Sequence, residues 1–396
     1  MAARALLVDI HTHIYPPRYA SYLRQRTSVP RILSRPTGKG SETEERLVIL
    51  NDEPGGGRPV GPQYWDRGEK LRFMDKHGID ISVISTANPW LDPIPATEAV
   101  SLAEDMNTDL EEFCSGSPSL SSDESFKRVY GLGLLPLVSG VPIQSILDTI
   151  SQVSTLPHLK GVIMGTRGLG KGLDDEALEP VWEAIAKAGL VIFLHPHYGV
   201  ADGREWGERE NGHVLPLALG FPMETTIAIT RLILSGVYDR HPSLKILLAH
   251  SGGCLPQLSS RLSSCVTHDP IVAGRLKHDV RWYLGKLWFD AVAYGPEELE
   301  FVSAVIGRAE RYPDTHADVS TQAALTADSA QWSKQEGARR MLWGTDHPFF
   351  PPLDGNEKWK SVVENLRAID DVTSWTETER LAVRGGNAIS LFNLET

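Results

Sequence analysis

The stretch Val8-Asp9-Ile10-His11-Thr12-His13 sets two imidazoles two residues apart at the end of an apolar run. On a strand, residues i and i+2 point to the same side. His11 and His13 would then reach one point from a strand end, and neutral imidazole is the commonest protein metal ligand. A lone His-x-His is as easily a pair of core or surface histidines. Here, further donors follow later apolar runs: His195-Pro196-His197, Ala249-His250-Ser251-Gly252-Gly253 and Gly344-Thr345-Asp346-His347-Pro348. Two or three histidines plus a carboxylate, with one coordination position left open, make up a catalytic divalent-metal site. Chance scatter is a poor explanation for a His or Asp after every one of these runs.

Such donors need a scaffold that gathers strand ends. Starting from Leu6–Ile10, strands are expected at Ile81–Ser85, Val129–Leu135, Gly161–Met164, Leu190–Leu194, Lys245–Leu248, Leu287–Phe289 and Met341–Trp343. Helical patterns alternate with them. They cover Lys70–His77, Ala96–Cys114 with Thr97 as N-cap, Ile143–Val153, Leu178–Ala188, Met223–Ser235, Leu255–Cys265, Pro296–Val305 and Lys358–Ala368. One or two more helices are expected between Thr376 and Phe392. Short apolar runs of this kind read as parallel strands buried on both faces. The alternation predicts an α/β fold, a (β/α)8 TIM-type barrel forming one domain over residues 1–396, with its active site at the C-terminal strand ends. An open doubly wound sheet is the alternative.

Two segments interrupt the pattern. Residues 27–67, after strand one, are rich in Gly, Pro and charge and read as a long substrate-side loop with a small hairpin around Leu47–Leu50. Residues 308–337 form a polar insertion before strand eight. It reads as a solvated segment on the N-terminal side of the barrel, with a lid or partner loop as the alternative.

Composition narrows the function. A net charge of −12 without a basic run argues against nucleic acid and, less strongly, against a membrane surface. The three cysteines, Cys114, Cys254 and Cys265, are too scattered for a disulfide framework or a cysteine-type zinc site. No apolar run is judged long enough for a membrane span, and the start lacks a signal-like apolar stretch. A soluble cytoplasmic protein is therefore expected. Gly165-Thr166-Arg167-Gly168-Leu169-Gly170-Lys171 copies the first seven positions of a P-loop, but Gly172 stands where Mg²⁺ binding needs Ser or Thr. A tight loop near the pocket is the better reading.

The chain resembles the amidohydrolase superfamily, in its branch around aminocarboxymuconate-semialdehyde decarboxylase. The markers are Asp9-Ile10-His11-Thr12-His13, Phe193-Leu194-His195-Pro196-His197, Leu219-Gly220-Phe221-Pro222-Met223-Glu224-Thr225-Thr226, Leu248-Ala249-His250-Ser251-Gly252-Gly253 and Gly344-Thr345-Asp346-His347-Pro348. Within that branch it looks most like the fungal uracil-5-carboxylate (iso-orotate) decarboxylases, through Gly168–Asp175, His213-Val214-Leu215-Pro216 and Phe349-Phe350-Pro351-Pro352.

This resemblance implies one divalent metal ion, zinc first and manganese second, held by His11, His13, His195 and Asp346. It implies no carbamylated lysine, since strand four ends in Gly165-Thr166. His250 would stand unligated beside the metal. Arg58 would hold the substrate carboxylate, and Asn88 and Phe349 would line the ring pocket. A homodimer or higher homo-oligomer is the family expectation. His197 and His347 are expected in supporting roles. Arg167 either neutralises a substrate anion or caps its loop. His213 and Trp90 are further pocket candidates, against a loop position and a core position respectively.

The implied reaction is metal-dependent, non-oxidative loss of CO2 from a small cyclic or unsaturated carboxylate, first of all uracil-5-carboxylate to uracil. Asp346 is the candidate acid, His250 assists, and no organic cofactor is required. Aminocarboxymuconate semialdehyde and hydroxybenzoate-type carboxylates are alternative substrates. Metal-dependent hydrolysis of an amide, ester or lactone is the competing activity, and a metal-storing scaffold the non-enzymatic one.

Overall fold

Runs dense in Val, Ile and Leu have no polar face to show to water, so they must be covered on both sides. The protein, described by a computed structural model over residues 5–37, 43–49, 56–120, 123–197, 214–313, 327–349, 351–352 and 357–395, meets this need with a parallel barrel. Its strands in chain order are β1 (Val8–Ile14), β2 (Arg31–Pro36), β3 (Thr43–Val48), β4 (Arg58–Val60), β5 (Ile81–Thr86), β6 (Val129–Leu134), β7 (Leu159–Gly165), β8 (Val191–His195), β9 (Lys245–Leu248), β10 (Trp288–Asp290) and β11 (Met341–Leu342). Eight of them form one sheet in the order β1-β5-β6-β7-β8-β9-β10-β11. Every residue of β1, β5, β6 and β8 is buried.

Closure joins the two ends of the chain. A parallel bridge pairs Thr12 with His347. The Ile10 amide donates to the Trp343 carbonyl at 3.1 Å, Asp346 N–H to His11 O at 2.7 Å, and His13 N–H to His347 O at 2.7 Å. The loop that carries Asp346 is thus stitched directly to the strand that carries His11 and His13. Gly344 permits this approach, because a Cβ there would run into the His11 side chain.

Helices cover the outside, as the alternation requires. The first of interest is α1 (Arg67–His77), capped by Asp66 accepting from Glu69 N–H at 2.8 Å and ended by Gly78 in the left-handed region. It is followed by α2 (Ala96–Ser115), which begins one residue before the expected cap. Thr97 lies within its first turn, and Pro95 holds the N-cap position. The continuous helical run Pro216–Leu234 was not foreseen as span-like. It has 19 residues and is long and apolar enough to cross a membrane by those measures alone. One face, with Thr225, Ile229, Leu232 and Ile233, is buried, while Leu219, Met223 and Ile227 are exposed.

Both interruptions hold more structure than their composition suggests. The expected loop over residues 27–67 contains a three-stranded antiparallel sheet, β2-β3-β4, with Leu47 paired to Ile32 on one side and Arg58 on the other. The expected hairpin is one edge of it, although Leu50 lies outside the described residues. The polar segment over residues 308–337 ends in a helix, Ala327–Ala338, that packs on the helix Pro296–Gly307. The crossing is close: a Cβ on Gly307 or Gly337 would collide with the carbonyl of Ser333 or Ser303 across the pair. Ser333 and Ala338 are buried there. That end of the segment is barrel wall rather than solvated insertion. Residues 314–326 lie outside the described ones.

Candidate metal centre

His11 and His13 sit near the C-terminal end of β1, His195 ends β8, His250 follows β9, and Asp346 follows β11. All five come together at one end of the barrel. His11, His13 and Asp346 offer ligand atoms within 4.8 Å of one another, and so do His11, His195 and His250. Asp346 Oδ1 lies 3.5 Å from His11 Nε2 and 3.6 Å from His13 Nε2. The His13 and His195 rings are 5.0 Å apart, and those of His195 and His250 5.3 Å.

The outward-facing nitrogens are fixed by what holds the inner ones. His11 Nδ1 meets Asp290 Oδ2 at 2.6 Å, His13 Nδ1 meets Ser85 Oγ at 2.9 Å, and His195 Nδ1 meets the Pro196 carbonyl at 2.8 Å. Each contact turns Nε2 toward the shared space. His11 Nε2 and His13 Nε2 are buried there without a hydrogen-bond partner. An unpaired buried polar atom costs roughly 1–3 kcal/mol, so two aimed at one point call for a ligand. Three imidazole nitrogens and one carboxylate fit a divalent transition-metal ion.

Electrostatics agree with that fit. Burial, followed by the repulsion of its imidazole neighbours, pushes His195 well below the ordinary value. Burial also brings His13 and His250 down to about 4. Such imidazoles stay neutral at neutral pH, the form that binds metal. His11 is the exception. Burial lowers its pKa, but the Asp290 hydrogen bond and the charges of Asp346, Asp290 and Asp9 raise it more. Asp346 shows the converse: burial raises it, but the neighbouring imidazoles of His13, His11 and His250 hold it below the usual carboxylate range. Asp346 and His250 both adopt left-handed backbone, with φ of 56° and 53°. Residues without that freedom are held there only when their surroundings insist.

The structure locates most of the other candidate residues named from the sequence. Arg58, on β4, lies with its guanidinium 5.2 Å over the Phe349 ring, and that ring is 5.6 Å from His13. Asn88 is buried after β5, but one amide N–H is committed to the His197 carbonyl at 2.5 Å. His197 and His347 do not join the donor group. The His197 ring lies between Asp92 at 3.2 Å and Glu224 at 3.3 Å, with Trp90 packed on it at 4.7 Å. The His347 ring stacks on Phe73 at 3.7 Å. Arg167 pairs with Asp92 at 3.5 Å. His213 lies outside the described residues. In the Gly-rich loop, the Gly170 and Gly172 amides both turn inward to the Arg167 carbonyl, which leaves them unable to cradle a phosphate.

Asp290 was missed. It is fully buried at the end of β10 and accepts from His11, from His250 N–H at 2.9 Å and from Ser251 N–H at 2.7 Å. One carboxylate therefore holds the His11 imidazole and the backbone at His250 and Ser251. The signal was available: it is an Asp directly after the apolar run Leu287–Phe289, in the same position that marked the other strand ends.

Comparison with known proteins places this arrangement. The chain is 26% identical over 405 aligned positions to 2-amino-3-carboxymuconate-6-semialdehyde decarboxylase of Dictyostelium discoideum, covering 99% of this chain and 93% of that protein. It superposes on the apo crystal structure of Metarhizium anisopliae IDCase with a TM-score of 0.82 and 38% identity, over 100% of this chain and 99% of that one. The 5-carboxyvanillate decarboxylase of Novosphingobium aromaticivorans, solved with manganese and 4-hydroxy-3-methoxy-5-nitrobenzoic acid, shares the fold at a TM-score of 0.67 and 18% identity, over 99% of this chain and 97% of that one. The Amidohydrolase family model matches residues 8–394, and this chain belongs to that family.

Proposed function

We propose that the protein is a metal-dependent, non-oxidative decarboxylase of a cyclic carboxylate, and that its substrate is uracil-5-carboxylate (iso-orotate). The observation that carries the reading is the cluster of His11, His13, His195, His250 and Asp346, from which we take His11, His13, His195 and Asp346 as the ligands, with an arginine, Arg58, stationed over Phe349 beside it. Full-length similarity to IDCase supports both the reaction class and the pyrimidine. A divalent ion held by those four residues supplies Lewis-acid polarisation and a fixed orientation for the ring. We take zinc as that ion and manganese as its competitor.

The remaining work falls to side chains. Arg58 pairs with the substrate carboxylate, and Phe349 offers a flat face to the ring. Asp346, ionised among the imidazoles, takes up a proton that comes from solvent and delivers it to C5. His250 holds a ring carbonyl or passes the proton on. Protonation at C5 breaks the conjugation, the C5–carboxyl bond gives its electron pair to the ring, and CO2 leaves. No organic cofactor enters this scheme. Headspace CO2 and uracil, measured with 5-carboxyuracil, test it; release of a new acid or amine from an amide or lactone would instead favour hydrolysis. We further propose that it works in the cytoplasm as a homo-oligomer.

Two variants probe the supports of the site. Arg58→Ala should weaken 5-carboxyuracil by about 1.5–3 kcal/mol, because a charge-assisted hydrogen bond is lost. Uracil, which lacks the carboxylate, should bind as before. Equal losses for both ligands, read by calorimetry, would mean that Arg58 only braces its strand. Asp290→Asn should lower metal affinity roughly 10–100-fold, the usual effect of removing a group that orients a ligand histidine. Competition with a coloured chelator reads this directly, and unchanged affinity would leave Asp290 a purely structural residue.

A further inference from the structure

Tyr64 ends the short helical turn Pro62–Tyr64, just after the strand that carries Arg58. Its side chain is almost fully buried. The ring stacks on Tyr15 with centroids 5.4 Å apart and planes 12° apart, and meets Phe349 edge-on at 6.1 Å. Phe349 in turn touches His13 and lies under Arg58. Tyr64 therefore belongs to the same wall as the carboxylate clamp and the metal-donor group.

The two stacked tyrosines differ at their hydroxyls. That of Tyr15 donates to the Asn88 carbonyl at 2.8 Å. That of Tyr64 makes no hydrogen bond among the described residues, nor is its oxygen sealed away from space. A buried tyrosine usually finds a partner for its O–H. Two neighbouring charges act on this phenol. Burial pushes it up to about 12, Arg58 draws it down and Asp346 pushes it up. It is a neutral donor throughout the working pH range, on a ring that meets Phe349, over which Arg58 lies.

We propose that Tyr64 is a substrate-binding residue whose hydroxyl donates a hydrogen bond to the carboxylate that Arg58 also holds. The proposal rests on the decarboxylase reading. A carboxylate has about four acceptor sites, enough for both donors. Arg58 supplies the charge. Tyr64 supplies a second, directional contact that sets the plane of the carboxylate relative to the ring, and with it the alignment of the breaking C–C bond.

Tyr64→Phe removes only the hydroxyl and keeps the stacking on Tyr15 and the contact with Phe349. In the metal-loaded full chain, the expected result is about tenfold weaker binding of 5-nitrouracil, whose planar nitro group copies the carboxylate and cannot be lost as CO2. The KM for 5-carboxyuracil should rise by a similar factor, while uracil binding and the melting temperature stay at the wild-type values. If Tyr64→Phe weakens uracil and 5-nitrouracil equally, or neither, Tyr64 is only packing and the proposal fails, while CO2 release by the wild type would leave the decarboxylase reading in place. If the wild type releases no CO2 but the variant still loses only 5-nitrouracil, the reaction is wrong and the Tyr64 contact stands. If the wild type binds neither ring, both are overturned.

Discussion

Asp346→Asn should keep its metal ion and stop releasing CO2. The amide oxygen can still coordinate, so metal content should stay near the wild-type level. The amide cannot carry a proton to C5, so turnover should fall by about 10²–10⁴-fold, the range lost with a general acid. Asparagine also suits the left-handed backbone at this position, where φ is 56°, so the fold should not object. The companion measurement uses D2O: the wild type should place deuterium at C5 of the uracil it forms. A metal-loaded Asp346→Asn enzyme with near-normal turnover, or uracil without solvent deuterium, would leave the metal site standing and remove Asp346 as the acid.

Metal removal should be nearly as severe. Dialysis against a chelator should abolish activity, and adding back zinc or manganese should restore it, with the more active ion at stoichiometric loading identifying the native metal. His13→Ala should neither retain nor recover the ion. Stability should follow. His11 Nε2 and His13 Nε2 are buried without a hydrogen-bond partner, and a bound ion would satisfy both. At a thousandfold excess over its dissociation constant, an ion that binds only the folded state adds about 4 kcal/mol. The chelated protein should therefore melt lower than the loaded one. Identical melting curves and full activity after verified metal loss would refute a metal-dependent mechanism.

Much of this site can be seen without coordinates because its parts obey one rule. Parallel strands buried on both faces leave short apolar runs, and chemistry collects where those runs end. His11, His13, His195, His250 and Asp346 all follow such runs, so their convergence is a consequence of the barrel. Asp290 follows one too, but a single carboxylate after a three-residue strand carries no pattern of its own. Its role depends on a contact with His11 across 279 positions of chain, which exists only once the barrel has closed.

The loop over residues 27–67 shows a different boundary. Its Gly, Pro and charge content correctly marks it as an excursion from the barrel. It conceals β2-β3-β4, because antiparallel pairing is decided by partners rather than by local composition. The polar stretch before β11 misleads for a related reason. Small residues such as Gly337 and Ser333 look solvated in a list of letters, yet they are what lets two helices cross closely.

The sequence by itself determined the fold class, the end of the barrel that does chemistry and the residues that could bind metal, since strand periodicity and strand-end position are local properties of the chain. Tertiary structure alone decided which nitrogen of each histidine faces the centre, that Asp290 orients the His11 ring and holds the His250 backbone, and that Tyr64 joins Arg58 and Phe349 in one wall. Those are side-chain contacts between segments far apart in sequence, and no local preference encodes them.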